Sequence, residues 1–128
     1  MNYMKQDALF FFENHSSAYL LYEAFEKALL VKFPETNIRV QKSQITFSNR
    51  HVFACVSLQR VKKKADLPDP YIVITLGLSY PLSSERVAVK TEPYPGRWTT
   101  HIVIGSVEEL DTELFSWVKQ AYDFAALK

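Results

Sequence analysis

Apolar positions along this chain change period twice, and the changes divide it into helix, strands and helix. Between residues 16 and 33 the period is helical: Leu21, Phe25, Ala28 and Leu29 recur on one face, with Leu20 and Ala24 widening the stripe. Glu23, Glu26 and Lys27 fall largely outside it, and Glu23 stands one helical turn before Lys27, a favourable spacing for opposite charges. Ser16 and Ser17 offer N-cap oxygens for the first turn. Pro34 ends the helix near Phe33, because the residue before a proline is pushed out of the α region. The preceding cluster Leu9-Phe10-Phe11-Phe12 is expected to be a short helical turn or an extended lead-in that packs on the core.

From Asn37 the period falls to two. Ile38 and Val40 alternate with Asn37, Arg39 and Gln41, and Ile45 and Phe47 alternate with Gln44, Thr46 and Ser48. Both segments therefore read as strands with one buried face. Ser48-Asn49-Arg50 predicts a tight turn. His51 to Leu58 is apolar on both sides and so reads as a more central strand. A charged loop ending in Pro68-Asp69-Pro70 leads into Tyr71 to Leu78, the strongest strand signal, β-branched and apolar on both faces. Pro81 and Ser83-Ser84 mark a turn, Arg86 to Thr91 alternates again, and Trp98 to Ile104 is the last strand. Between them Glu92-Pro93-Tyr94-Pro95-Gly96-Arg97 is expected to form a rigid loop.

Ser106 followed by Glu109 fits a capping box, and Asp111 offers a second cap. Leu110, Leu114, Val118, Ala121, Tyr122 and Ala125 then form a continuous helical stripe. The pattern predicts an α+β domain with a single antiparallel sheet of five to six strands in meander order. Short connections favour antiparallel pairing, because parallel strands need long crossovers. The N-terminal and C-terminal helices are expected to pack on one face.

At 128 residues the chain has the length of one domain, and a hydrophobic fraction of 48% supplies its core, so residues 1–128 are read as a single unit. One cysteine, Cys55, leaves no intramolecular disulfide and no cysteine-based zinc site. The opening residues carry Asp7 before the apolar run and lack a small-residue cleavage site, so no secretion signal is read there. No apolar stretch approaches the roughly 18 residues of a membrane span, and the expectation is a cytoplasmic protein that does not engage membranes. Net charge is +1, but its distribution is uneven. No acid falls between Glu35 and Asp66, where Arg39, Lys42, Arg50, Arg60, Lys62, Lys63 and Lys64 all occur, and the final helix carries Glu108, Glu109, Asp111, Glu113 and Asp123. The basic 39–64 segment could meet phosphates weakly, or be a solvated surface. Near-neutrality argues against specific nucleic-acid binding.

Strand parity then picks out candidate chemistry. If Ile38, Val40, Ile45, Phe47, Trp98 and Ile102 face the helices, then Arg39, Gln41, Gln44, Thr46, Thr99 and His101 face away. Lys42, Tyr94 and Arg97 flank that second face from adjoining loops. Lys42, Gln44, Tyr94, Arg97 and His101 are thus the ligand-binding candidates, their donors suited to a small anion or carboxylate. The competing reading is the solvated side of a half-covered sheet. No catalytic residues are assigned. His15, His51 and His101 lack metal-ligand spacing, Cys55 sits mid-strand as an inert thiol, Ser43 beside Lys42 is in no serine-nucleophile setting, and the three glycines form no phosphate loop. No metal or cofactor is expected. Trp98 and Trp117 read as core anchors.

Three stretches together carry a resemblance: Lys42-Ser43-Gln44-Ile45-Thr46-Phe47; Glu92-Pro93-Tyr94-Pro95-Gly96-Arg97-Trp98-Thr99 with His101; and Ser106-x-x-x-Leu110-Asp111-x-Glu113-Leu114 with Ala121-Tyr122. From about Phe11 to Tyr122 their order and spacing resemble an uncharacterised, largely bacterial family, domain of unknown function 5655. Its layout is similar to small frataxin-like and YdhG-like α-β-α domains, an analogy of fold only. The resemblance implies a self-standing domain and transfers no catalytic residues. Relatives often carry a second histidine where this chain has Thr100, so it implies no two-histidine role here.

Three functions are compatible with these residues. The leading one is a non-catalytic binding or interaction domain using the polar sheet face and the Tyr94–Trp98 loop, with a protein or small anionic partner. The second is an enzyme or sensor for an anionic ligand around Lys42, Arg97 and His101, which would need a pocket where those side chains meet. The third is weak nucleic-acid binding through the basic segment, which would need Arg39, Arg50 and Lys62 to Lys64 on one continuous face.

Overall fold

A computed structural model describes residues 5–128; residues 1–4, part of the stretch read above for a secretion signal, lie outside the described set. Three helices, α1 (Lys5–Phe11), α2 (Ser16–Lys32) and α3 (Thr112–Leu127), accompany six strands. The strands are β1 (Asn37–Val40), β2 (Ile45–Ser48), β3 (Val52–Ser57), β4 (Ile72–Leu78), β5 (Val87–Tyr94) and β6 (Arg97–Ile104). They form one sheet, antiparallel throughout.

The spatial order is β1-β2-β3-β4-β6-β5, so the simple meander expected from the sequence fails at one step. The chain leaves β4, passes over the neighbouring position and lays down β5 at the edge; β6 then returns between them. Strand composition explains the choice. β6 places Thr100, Ile102 and Ile104 in the interior, whereas β5 is exposed or half-exposed along its length and suits an edge.

Register fixes the two faces of the sheet. Ile38, Phe47, Ala54, Leu76 and Thr100 lie in one row across five strands, and Val56, Ile74 and Ile102 are in register in the next row on the same side. That side carries the helices: Phe47 meets Tyr22 and Phe25 of α2, and Phe53 meets Tyr122 of α3. Phe53 is the extra residue where the register of β2 and β3 shifts, which turns a second aromatic toward the helices. On α2 the buried residues are Ala18, Leu21, Tyr22, Phe25 and Leu29. Leu20, expected to widen the stripe, is 62% exposed; the stripe widens on its other side, through Ala18 and Tyr22. The α2 cap is His15, not Ser16 or Ser17, and no side chain caps the first turn. In α1, Ala8 is buried, as is Phe12 just past its end, while Leu9 and Phe10 face outward.

The turn at β2–β3 secures the far end of α3. Asn49 Nδ2 donates to the Tyr122 carbonyl at 2.8 Å, and His51 Nδ1 donates to the Ala125 carbonyl at 3.1 Å. Both acceptors belong to the last two turns of α3, so the two bonds tie the β2–β3 turn to the end of the helix. At the other end Asp111 caps α3 by accepting from Leu114 N at 3.0 Å, and Glu109 Oε1 accepts from Gly105 N and Ser106 N.

One flaw in the helix-side core carries a prediction. Thr100 is fully buried and its hydroxyl has no hydrogen-bond partner among the described residues. Thr100→Val removes the unpaired group at nearly constant shape and should stabilise the fold by about 1 kcal/mol. A thermal or denaturant midpoint that moves down instead would show that the hydroxyl is satisfied in solution.

Candidate functional site

The face that no helix covers carries Thr46, Cys55, Thr75, Gly77, Thr99 and His101, together with Ser57 and Val73, and of these Thr46, Ser57 and Val73 are nonetheless buried. Arg97 and His101 fall on this side by parity, and no hydrogen bond or ion pair holds the exposed Arg97 guanidinium among the described residues. Lys42 and Gln44 are not brought to them. Both belong to the β1–β2 turn, at the end where β3 runs out, while Arg97 opens β6 at the opposite end. β3 and β4 also stand between β2 and β6, three strand spacings or roughly 14 Å. Gln44 Nε2 instead reaches Gln41 Oε1 across its own turn.

His101 is half-buried. Its Nδ1 lies 2.8 Å from Thr75 Oγ1 and 3.4 Å from Gln59 Nε2. With the Gln59 amide donating, Nδ1 is the acceptor and the neutral ring carries its proton on Nε2. Burial holds the imidazole below its usual proton affinity. The folded state therefore binds this proton less readily than the unfolded chain. Stability from this group is complete above about pH 6.5, the unfolded value, and is lost as pH falls toward the lower folded value. A melting series across this range should show that loss in the native protein and not in His101→Gln. Equal slopes in the two would remove His101 as its source.

The stretch expected to be a rigid loop is a hairpin. β5 runs on to Tyr94 and β6 starts at Arg97, leaving Pro95 and Gly96 as a two-residue turn. Proline fixes the first torsion and Gly96 takes φ +74°, the combination of a type II turn. Glu92 Oε2 accepts from Gly96 N at 3.0 Å and ties the tip. Tyr94 is 67% exposed beside it. Arg97 also lies near Lys128, whose ammonium is disfavoured first by burial and then by the Arg97 charge. Over the missing side chain of Gly77, a shallow depression of about 230 Å³ is edged by Cys55, Thr75, Thr99 and Lys128. Burial pushes the Cys55 thiol up to about 11, so it stays protonated at neutral pH.

The more concave surface lies at the other end of the sheet. Two hollows of about 280 and 410 Å³ share His15, Asp69 and Tyr71. The first continues over Asn14, Ser16, Ser17 and Leu58; the second over Leu67 and Pro68 to Arg60 and Lys64. Three local features build this cleft. The exposed first turn of α2 lacks a side-chain cap, leaving amides there without helical partners. The Tyr71 hydroxyl donates to the Leu58 carbonyl at 2.7 Å and closes the base of the 59–70 loop. Pro68 packs where a Cβ on Gly105 would stand, 2.6 Å from it, so only glycine lets the loop sit this close to β6. Arg60, Lys64 and Asp69 have no ion-pair or hydrogen-bond partner among the described residues.

Sequence reading missed this cleft because His15-Ser16-Ser17 registered only as a helix start and Pro68-Asp69-Pro70 only as a loop end. It also missed Arg86, which reaches Asp111 at 2.9 Å, Glu113 at 3.1 Å and the Glu109 carbonyl at 2.7 Å while covering the Trp117 ring. Arg86 joins the start of β5 to the capped end of α3, and with the Leu114 amide it holds the Asp111 carboxyl below the usual carboxylate range. The basic residues divide between the ends of the sheet: Arg50 lies in the β2–β3 turn, and Lys62 to Lys64 lie in the loop after β3.

Among the described residues no three histidine, cysteine or acidic groups come together as a metal-ligand set, and no helix is long and apolar enough to cross a membrane. Fold and surface define an α+β domain with helices on one side of an antiparallel sheet and a cleft at its end. The chain belongs to the family described as domain of unknown function 5655 (DUF5655), whose pattern it matches over residues 10–125. Neither a curated protein nor a solved structure matches it.

Proposed function

We propose that this domain binds a small anionic ligand in the cleft between the head of α2 and the 59–70 loop. The observation that carries the reading is the pair of adjoining hollows with the unpartnered Arg60 and Lys64 in their lining. Two cations in a concave site raise the local concentration of an anion and offer it charge-assisted hydrogen bonds. Leu58, Leu67 and Pro68 supply apolar wall for the body of a ligand, the usual composition of a small-molecule site.

Titration with benzoate, followed by amide chemical shifts, tests it. Shifts should cluster on residues 14–18 and 58–71, and Arg60→Gln with Lys64→Gln should weaken binding about ten-fold or more. Shifts spread evenly over the surface would overturn the proposal.

A second reading keeps the uncovered sheet face as an interaction surface, favoured by the free Arg97 and exposed Tyr94 on a stiff hairpin. Shifts confined to Thr75, Thr99 and His101 would support it instead.

A further inference from the structure

Asp69 stands where the two hollows meet, and it lines both. Its carboxylate is exposed and unpartnered, as are the head groups of Arg60 and Lys64 on one side of it. A site built only to attract anions would not place a free carboxylate at its waist, because a simple anion approaching the two cations is repelled there. The hollow beyond Asp69 is lined by Asn14, Ser16 and Ser17, side chains that hydrogen-bond without adding charge. From one side to the other the polar groups of the cleft therefore run from the cations Arg60 and Lys64, through a shared waist where Asp69 is the one carboxylate beside His15 and Tyr71, to the neutral Asn14, Ser16 and Ser17.

Resting on the reading above, we infer that the cleft selects a zwitterion, an acid carrying an ammonium group, and that Asp69 is the residue that selects it. The ligand's carboxylate meets Arg60 and Lys64, its ammonium meets Asp69, and its body lies along Leu67 and Pro68. The Asp69 charge then has two effects on specificity: it attracts the correct ligand and repels the acid that lacks the amine.

Two probes of one shape test this, benzoate and 4-(aminomethyl)benzoate, titrated into the full chain by amide chemical shift. The native protein should bind the zwitterion about ten-fold more tightly than benzoate, with shifts in the cleft for both. Asp69→Asn should bring the two affinities together by weakening the first and strengthening the second. Cleft binding of both probes at equal strength would overturn the inference while leaving an anion site in place, and so would a preference unchanged in Asp69→Asn. Neither probe shifting the cleft amides would overturn both. The comparison of the two probes on the native chain decides the matter even if the variant folds poorly.

Discussion

Phe25→Ala should lower the free energy of unfolding by about 3–5 kcal/mol, the range for deleting a fully buried aromatic ring. Phe25 has no exposed surface and belongs to three layers of contact at once. Its ring meets Phe47 of β2 edge-on at 5.6 Å and stacks on Phe115 of α3 at 5.7 Å. Truncation thus opens a cavity bordered by both helices and the sheet, where no single element can move in to fill it, and it removes two aromatic pairs beyond the area they bury. Denaturant titration measures the effect as a shift in midpoint at constant slope. A loss below about 1 kcal/mol would mean that α2 and α3 do not share this ring.

Ile74→Ala should cost about 2–5 kcal/mol. The residue is fully buried, level with Val56 on one neighbour and Ile102 on the other, in the centre of the helix-side face. Its counterpart is Thr99→Ala on the uncovered face, where a half-buried side chain in a neighbouring strand should lose no more than about 1 kcal/mol. The difference between the two measures how one-sided the sheet is. Equal losses would show that the second face is packed against something in solution.

Alternation located the outer strands and continuous apolar runs the central ones, because both are local properties of one sequence segment. Parity within a strand needs no knowledge of its neighbours, so it could assign Thr99 and His101 to one face, whereas Arg97 read as a loop residue and opens β6. Which strands become neighbours was not legible. The return of β6 between β4 and β5 depends on comparing the burial needs of three segments at once, and that comparison separates Lys42 and Gln44 from Arg97. The same limit hid the cleft: His15 and Asp69 are 54 positions apart in the numbering, and only β4 in the middle of the sheet brings the loop before it to the head of α2. Arg86 gave no signal at all, because a lone arginine after a Ser-Ser turn looks like any surface cation until the α3 carboxylates face it.

The placement of β5 at the border has a consequence for how the protein behaves in a crowd. An eight-residue outer strand presents backbone donors and acceptors on which another chain's strand could grow. Here that template is interrupted. The ladder with β6 slips in register twice, between Val87 and Val89 and again between Thr91 and Tyr94, so the outer edge does not run straight. Pro93 removes a donor, and Lys90 and Glu92 put charge on either side of Thr91. The short stretches left between these interruptions disfavour extension of the sheet from this edge by another chain's strand.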